Sequence, residues 1–166
     1  VWATPETLAI MGVRYGPQTE CPVAYGETVT VGEVDVSFVP AGHVLGSAQI
    51  ILDHAGERVV VSGDYKRRED PTCERFLPVK CDIFITVATF GLPVFCHPDT
   101  GSEIDRLLAR LHDNPDRCVL VGAYALGKAQ RVIAEARRRG HEEPIYYHGA
   151  LERLCRLYEE QGISLG

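Results

Sequence analysis

The spacing of apolar residues changes near residues 91–93, and this change limits the choice of folds more than any other feature of the sequence. Before it, apolar and polar residues alternate, as in Val-Asp-Val-Ser-Phe at 34–38, which is typical of half-buried strands. After it, apolar residues recur three and four positions apart, which is typical of amphipathic helices. We therefore expect two regions of different architecture, residues 1–92 and 93–166.

The first region is predicted to be a series of short strands at hairpin spacing. The predicted strands cover residues 28–31, 34–38, 48–53, 58–61 and 82–86. The sequence His-Ala-Gly-Glu at 54–57 is a turn signal that joins the third of these strands to the fourth.

The second region begins with a helical pattern. Ile104, Leu107, Leu108 and Leu111 have the spacing of one helix face, and Ser102 is the predicted N-cap. This helix is the first regular element that we expect after the change of period.

Helices and strands are then predicted to alternate. A helix over 126–139 is closed by Gly140, and another starts near residue 151. Apolar runs at 117–121 and 144–147 are predicted strands. Such alternation predicts a parallel α/β sheet.

Composition places the chain among ordinary globular proteins. It has 166 residues, of which 45% are apolar and 24% charged, so intrinsic disorder and collagen-like structure are excluded. It has no run of about 18 apolar residues that would predict a membrane span. Its first residues lack the pattern of a signal peptide. The first residue is not Met, and we expect the chain to begin within a longer protein.

Charge and cysteine content narrow the function classes. A net charge of -6 argues against a generic polyanion-binding domain, because such domains are usually basic. It remains compatible with an enzyme whose metal ions supply local positive charge. The six cysteines form no Cys-x-x-Cys pair, which argues against a zinc ribbon. Scattered cysteines are usually reduced thiols, so a cytoplasmic location is expected.

Two glycine-containing segments carry the residues best suited to chemistry. His43 lies in Pro-Ala-Gly-His-Val-Leu-Gly-Ser at 40–47, and Asp64 follows Val-Val-Val-Ser-Gly at 59–63. An imidazole and a carboxylate at strand ends can converge on zinc, manganese or iron. Spacing by itself favours the alternative that His43 is a loop residue and Asp64 a turn or cap residue.

The sequences of these two segments resemble the third and fourth metal motifs of the metallo-β-lactamase superfamily, in its nucleic-acid-processing β-CASP branch. Further strings continue the resemblance: Phe-Ile-Thr-Val-Ala-Thr-Phe-Gly at 84–91, Val-Gly-Ala-Tyr-Ala-Leu-Gly-Lys-Ala-Gln-Arg at 121–131 and Pro-Ile-Tyr-Tyr-His-Gly-Ala at 144–150. The subgroup most similar is the bacterial DNA-ligase-associated exonucleases, also described as mRNA 3′-end processing factors. The implied fold is α/β (α+β): part of an αββα sandwich over 1–92, then part of an inserted α/β domain over 93–166.

This resemblance implies a site with two metal ions, zinc by preference and manganese as the alternative. His43 would bind one ion and Asp64 would bridge both. The family's His-x-His-x-Asp-His motif is absent, since no His precedes His43. Val87 stands where the subgroup has a catalytic acid, and an apolar side chain cannot relay a proton. We therefore expect this chain to be inactive by itself.

Basic residues near these motifs are candidate contacts for nucleic acid. Lys66 and Arg67 directly follow the predicted Asp64 turn, and Lys128, Gln130 and Arg131 start a predicted helix. The implied partners are nucleic acid, with DNA favoured over RNA, and an ATP-dependent DNA ligase; no membrane is implied. The alternative is a solvated turn at the first cluster and helix packing at the second.

The predicted function is a metal-dependent nuclease, with a DNA end-processing exonuclease of DNA repair favoured and an RNA-processing nuclease as the alternative. A different class of function is a catalytically degenerate scaffold of the same fold. Val87, the acidic charge and the absent histidine motif favour that alternative. A small-molecule metallohydrolase would leave the strings after residue 90 unexplained.

Overall fold

The computed structural model, which describes residues 1–166, separates the chain into a strand-rich unit, Val1–Ala88, and a helical unit, Thr89–Gly166. The strand-rich unit contains one helix, and the helical unit contains no strand. The chain as a whole is therefore mixed, with helices and strands largely in different regions, as expected for an α+β fold.

The strand-rich unit opens with a helix that the apolar spacing did not indicate. Strand β1 (Trp2–Ala3) precedes helix α1 (Pro5–Tyr15) and pairs in parallel with β2 (Cys21–Pro22). The Thr4 hydroxyl accepts a hydrogen bond from the Thr7 amide, and Pro5 occupies the first helical position. A Thr cap followed by Pro is a recognised helix start, so this signal was present in the sequence.

Five strands form the main sheet in the order of the chain: β3 (Thr28–Val31), β4 (Val34–Pro40), β5 (Ala48–His54), β6 (Glu57–Val61) and β7 (Ile83–Ile85). The first four pair antiparallel, and β7 lies parallel to β6. All five predicted strands are confirmed, with ends that differ by at most two residues.

The turn between β5 and β6 explains the register of that hairpin. Ala55 has φ 49° and Gly56 has φ 84°. Two successive positive φ angles are the signature of the tight turn that matches the twist of paired strands. The predicted turn at 54–57 is therefore confirmed.

The buried apolar residues of this unit lie on the sheet, on α1 and in the connections between strands. Ile51 and Val60 lie opposite each other in register, and both are buried. The other buried apolar residues of the unit are Leu8, Ile10, Val23, Phe38, Ala41 and Leu45.

The helical unit contains α2 (Thr100–Asp113), α3 (Lys128–Arg138) and α4 (Glu152–Glu160), which follows a single 3-10 turn. The three predicted helices are confirmed. The N-cap of α2 is Asp99 rather than Ser102, whose amide and hydroxyl instead donate to the Asp99 carboxylate at 3.0 and 3.2 Å. These hydrogen bonds hold the pKa of Asp99 below its usual range.

The strands predicted at 117–121 and 144–147 do not form, and the predicted parallel sheet of this unit is therefore wrong for this chain. A strand exists only through hydrogen bonds to a neighbouring strand, and neither segment has such a neighbour. Leu120 and Tyr146 consequently remain more than nine-tenths exposed. Most buried residues of the unit lie on its helices, chiefly on α3 and α4.

None of the four helices has both the length and the apolar character that crossing a lipid bilayer requires.

Candidate functional site

Three strands of the main sheet end at the same edge. Strands β4 and β6 are both antiparallel to β5, and β7 is parallel to β6, so β4, β6 and β7 run in one direction. Their carboxyl ends therefore lie along one edge of the sheet. The three candidate site positions follow these ends within three residues: His43 after β4, Asp64 after β6 and Val87 after β7.

The structure brings two of these side chains together. His43 Nε2 and Asp64 Oδ2 are 3.7 Å apart, and the side chains are 44% and 66% exposed. Two ligands of one tetrahedral zinc ion, each about 2.0–2.1 Å from the metal, lie roughly 3.4 Å from each other. The pair thus fits two positions around a single metal ion. No group of three or more His, Cys, Asp or Glu side chains accompanies it, so these residues fit part of a metal site rather than a whole one.

The loop that carries His43 is closed by a serine. The Ser47 hydroxyl accepts hydrogen bonds from the His43 and Val44 amides at 3.0 and 3.1 Å. The Ala41 amide donates to the Ser47 carbonyl, and the Ser47 amide donates to the Val44 carbonyl, both at 2.9 Å. Residues 41–47 are hereafter called the His43 loop.

Gly42 lets the His43 loop lie directly on the segment that follows Asp64. Its φ is +69°, and a Cβ at this position would be 2.5 Å from the Lys66 carbonyl oxygen and 2.8 Å from the Phe76 amide nitrogen. The Lys66 amide also donates to the Ala41 carbonyl at 3.0 Å. Only glycine combines this backbone conformation with so close an approach.

Asp64 belongs to a connection without regular secondary structure, residues 62–82, that leads from β6 to β7. Lys66 forms an ion pair with Asp70, whose side chain is 3% exposed. Asp70 also accepts hydrogen bonds from the Thr72 amide and hydroxyl at 2.9 and 2.6 Å. The Lys66 ammonium is therefore engaged within the connection. Arg67 is exposed three residues after Asp64, and of the two basic residues it is the more accessible to a phosphate group.

Val87 follows the end of β7 with its side chain 45% exposed. The ends of β6 and β7 are joined there, because the Ser62 amide donates to the Ile85 carbonyl at 2.9 Å and the hydroxyls of Ser62 and Thr86 are 3.0 Å apart. The isopropyl group of Val87 can neither accept nor donate a proton, so this strand end carries no acid.

Comparison with known proteins covers nearly the whole chain. No protein-family model matches it. A "Probable DNA ligase" of Opitutus terrae is 29% identical over 164 residues, which are 95% of this chain and 16% of that protein. "Endoribonuclease ysh-1" of Neurospora crassa is 32% identical over 145 residues, 81% of this chain and 17% of that protein. The chain thus spans less than a fifth of the length of these curated relatives.

A solved structure has the same fold. The crystal structure of a protein of unknown function from Enterococcus faecalis V583 covers 99% of this chain, and the chain covers 44% of it. The TM-score is 0.60 at 15% sequence identity. The curated relatives fit the β-CASP branch of the metallo-β-lactamase superfamily, the family that the motifs of this chain resemble.

The second group of candidate nucleic-acid contacts is only partly at the surface. Lys128 is exposed, with its Nζ 4.5 Å from the centroid of the Tyr124 ring. Gln130 is fully buried and donates to the Ala125 carbonyl at 2.9 Å. The Arg131 guanidinium donates to the Thr100 hydroxyl at 2.7 Å. Gln130 therefore has a packing role in this structure, and nucleic acid cannot reach its side chain.

Sequence reasoning missed the residues that hold the site in place. Ser47 orders the His43 loop, and Asp70 orders the connection after Asp64. Asp70 lies four residues after Lys66 and shortly before a Pro-Thr pair, a spacing and context that favour an Asp-centred turn. The sequence around Ser47 contains no comparable turn pattern. Its role depends on the loop conformation that brings its hydroxyl back to the His43 amide, four residues earlier.

Proposed function

We propose that this chain is the part of a metal-dependent nuclease that supplies two of its metal ligands, His43 and Asp64. The observation that carries the proposal is the 3.7 Å approach of these side chains at the edge where three strand ends lie together. Zinc is the favoured ion because imidazole and carboxylate are among its usual ligands, and manganese is the alternative.

The bound metal would supply a hydroxide nucleophile and stabilise negative charge on the scissile phosphate. The residues of this chain have simpler tasks. His43 and Asp64 would hold the metal, and exposed Arg67 would position the phosphate by charge-assisted hydrogen bonds. Lys66, paired with Asp70, would keep the Asp64 segment in place.

The proposed substrate is DNA, and the proposed reaction is end processing by an exonuclease that works with an ATP-dependent DNA ligase. Support comes from the relative named as a probable DNA ligase, which aligns with 95% of the chain. The endoribonuclease relative aligns with 81% and supports RNA as the second candidate. Parallel assays on end-labelled DNA and RNA would distinguish these substrates.

A second candidate function is a nucleic-acid-binding scaffold that does not cleave. The observation in its favour is Val87, which places an apolar group where the resemblance implies an acid. A positioned acid or base contributes about 10²–10⁴-fold to rate. We therefore expect Val87→Glu in the complete protein to raise single-turnover DNA cleavage by about 10²-fold or more, with DNA affinity unchanged. Equal cleavage rates for the natural protein and Val87→Glu would show that cleavage does not require an acid at this position.

The metal ligands are tested by metal content. In the complete protein, His43→Ala and Asp64→Ala should each lower bound metal and cleavage. The effect of Asp64→Ala should be the larger, because this carboxylate would bind both ions. His54→Ala and Asp116→Ala are matched controls at exposed positions and should retain metal. The isolated 166-residue chain should bind no stoichiometric pair of zinc ions. Full metal content in Asp64→Ala, or two tightly held zinc ions in the isolated chain, would refute the proposed ligand set.

A further inference from the structure

Three hydroxyl groups converge on the outer end of the His43 loop. Thr4 Oγ1 and Thr7 Oγ1, at the start of α1, lie 2.7 and 2.9 Å from the Gly46 carbonyl oxygen. The Tyr25 hydroxyl donates to the Ser47 carbonyl at 3.0 Å. Two successive carbonyl groups of the loop are thus held by side chains from outside it.

The backbone of the loop also touches the first turn of α1. Gly46 has φ +74°, and a Cβ there would be 2.7 Å from the Thr7 amide nitrogen and 2.8 Å from Glu6 Cβ. Thr4 is 1% exposed, so its hydroxyl has little access to water as an alternative partner. The contact between α1 and the loop is therefore both close and hydrogen-bonded.

Ser47 connects these hydroxyl contacts to His43. Ser47 receives the Tyr25 bond at its carbonyl, and its own hydroxyl accepts from the His43 amide. The His43 imidazole is itself half exposed, and its polar contact is with Asp64. Metal-binding histidines are usually oriented by a hydrogen bond from the second ring nitrogen. Here the orientation of His43 depends on its backbone as well as on Asp64, and therefore on what fixes the loop.

We propose that Thr4, Thr7 and Tyr25 are positioning residues for His43. They fix the carbonyls of residues 46 and 47, Ser47 transmits that order to the His43 backbone, and the imidazole is thereby held beside Asp64. This inference rests on the proposed function for its metal-binding consequence. Its consequence for loop order can be measured without metal.

The test compares Thr7→Val, which removes the hydroxyl at nearly constant volume, with Thr7→Ser, which restores it. Thr30→Val is the matched control, because its hydroxyl bonds the exposed Asp35 carboxylate away from the loop. In the complete protein, hydrogen exchange of the His43 and Val44 amides reports loop order. Titration with Mn²⁺, followed by broadening of the His43 imidazole resonances, reports metal affinity.

We expect Thr7→Val to speed exchange at both amides and to weaken Mn²⁺ binding by about 10-fold or more, as for other groups that orient a metal ligand. Thr7→Ser and Thr30→Val should behave as the natural protein. Tyr25→Phe should shift both measurements in the same direction as Thr7→Val and keeps the test valid if Thr7→Val does not fold. Unchanged exchange and unchanged affinity in Thr7→Val and Tyr25→Phe would overturn the positioning role. Absence of Mn²⁺ broadening in the natural protein would instead refute the proposed metal site, while the exchange data would still decide the role of the hydroxyls.

Discussion

Apolar runs form paired strands in the strand-rich unit but remain unpaired in the helical unit. In the strand-rich unit, the antiparallel strands each pair with the next strand along the chain, and tight turns join β3 to β4 and β5 to β6. In the helical unit, the apolar runs at 117–121 and 144–147 lie on either side of α3 without a strand partner. The comparison teaches that an apolar run forms a strand only where the described chain supplies a partner for it, as β6 does for β7. Parallel pairing needs a partner that lies far away in sequence.

Hydrogen exchange should show the largest difference between the two units. Strand β5 has a hydrogen-bonded neighbour on each side, whereas residues 117–121 and 144–147 have none. An amide that exchanges only when the whole protein unfolds is protected by the full unfolding free energy. With a free energy of about 5 kcal/mol or more, its exchange rate is lowered by at least ~10³-fold. We expect such slowing for β5 amides and near-random-coil rates for the two extended segments, measured by exchange with mass spectrometry or NMR. Comparable protection at 144–147 would mean that this segment is paired in solution and would end the contrast.

Two glycines of the strand-rich unit should separate backbone strain from close packing. Gly42 and Gly32 have φ of +69° and +64°, but only Gly42 has backbone atoms where a Cβ would stand. Gly32→Ala should cost about 1–2 kcal/mol of unfolding free energy from strain, and Gly42→Ala about 2–5 kcal/mol, because overpacking is added. Denaturant unfolding measures both. Equal costs would show that the His43 loop can move away from Lys66 and Phe76.

Each unit contains one fully buried glutamine, and the two should respond differently to the same substitution. Gln49 donates to the carbonyls of Pro40 and Leu77 at 3.1 and 2.7 Å. Gln130 donates to Ala125, but its Oε1 has no partner. A buried group left unsatisfied costs about 1–3 kcal/mol. Gln49→Leu should therefore lower the unfolding free energy by about 1–3 kcal/mol, whereas Gln130→Leu should change it by less than about 1 kcal/mol.

Thermal unfolding of the two variants would check this order. A larger loss for Gln130→Leu would mean that its hydrogen bonds to α4 and the 124–127 turn outweigh the unpartnered oxygen.

The smallest expected effect is on acid stability, with one carboxylate in each unit. Hydrogen bonds from Arg58 lower the pKa of Asp53, and bonds from Ser102 lower the pKa of Asp99. A lowered pKa in the folded state adds stability above the unfolded carboxyl pKa of about 4, and this stability is lost as pH falls through the folded value. Asp53→Asn and Asp99→Asn should each flatten the fall in melting temperature below pH 4. If the melting temperature of both variants falls below pH 4 as steeply as that of the natural chain, these two carboxylates do not contribute to acid stability.

The candidate site could be predicted from sequence as far as its residues follow strand ends. His43 and Asp64 follow apolar runs that form strands of the same direction, so both residues are expected at one end of the sheet. Strand β5 lies between those strands, and the approach of the two side chains therefore also depends on the His43 loop, whose path the sequence does not indicate. Burial of Gln130 could not be predicted in the same way, because it depends on packing against Cys155, 25 residues further on. The spacing of apolar residues predicts on which face of a helix a residue lies, but not which other element packs against that face.

The irregular connection from β6 to β7 has a consequence for how this protein can change in length. Most surface loops accept inserted residues, because few of their backbone groups are bonded elsewhere. This one is fixed inside its span as well as at its ends, since the Lys66 amide bonds the Ala41 carbonyl, and both backbone groups of Leu77 are bonded, to Pro40 and to the Gln49 side chain. Extra residues between the paired Lys66 and Asp70, or near residue 77, would shift the wall on which the His43 loop rests. We therefore expect this connection to vary little in length.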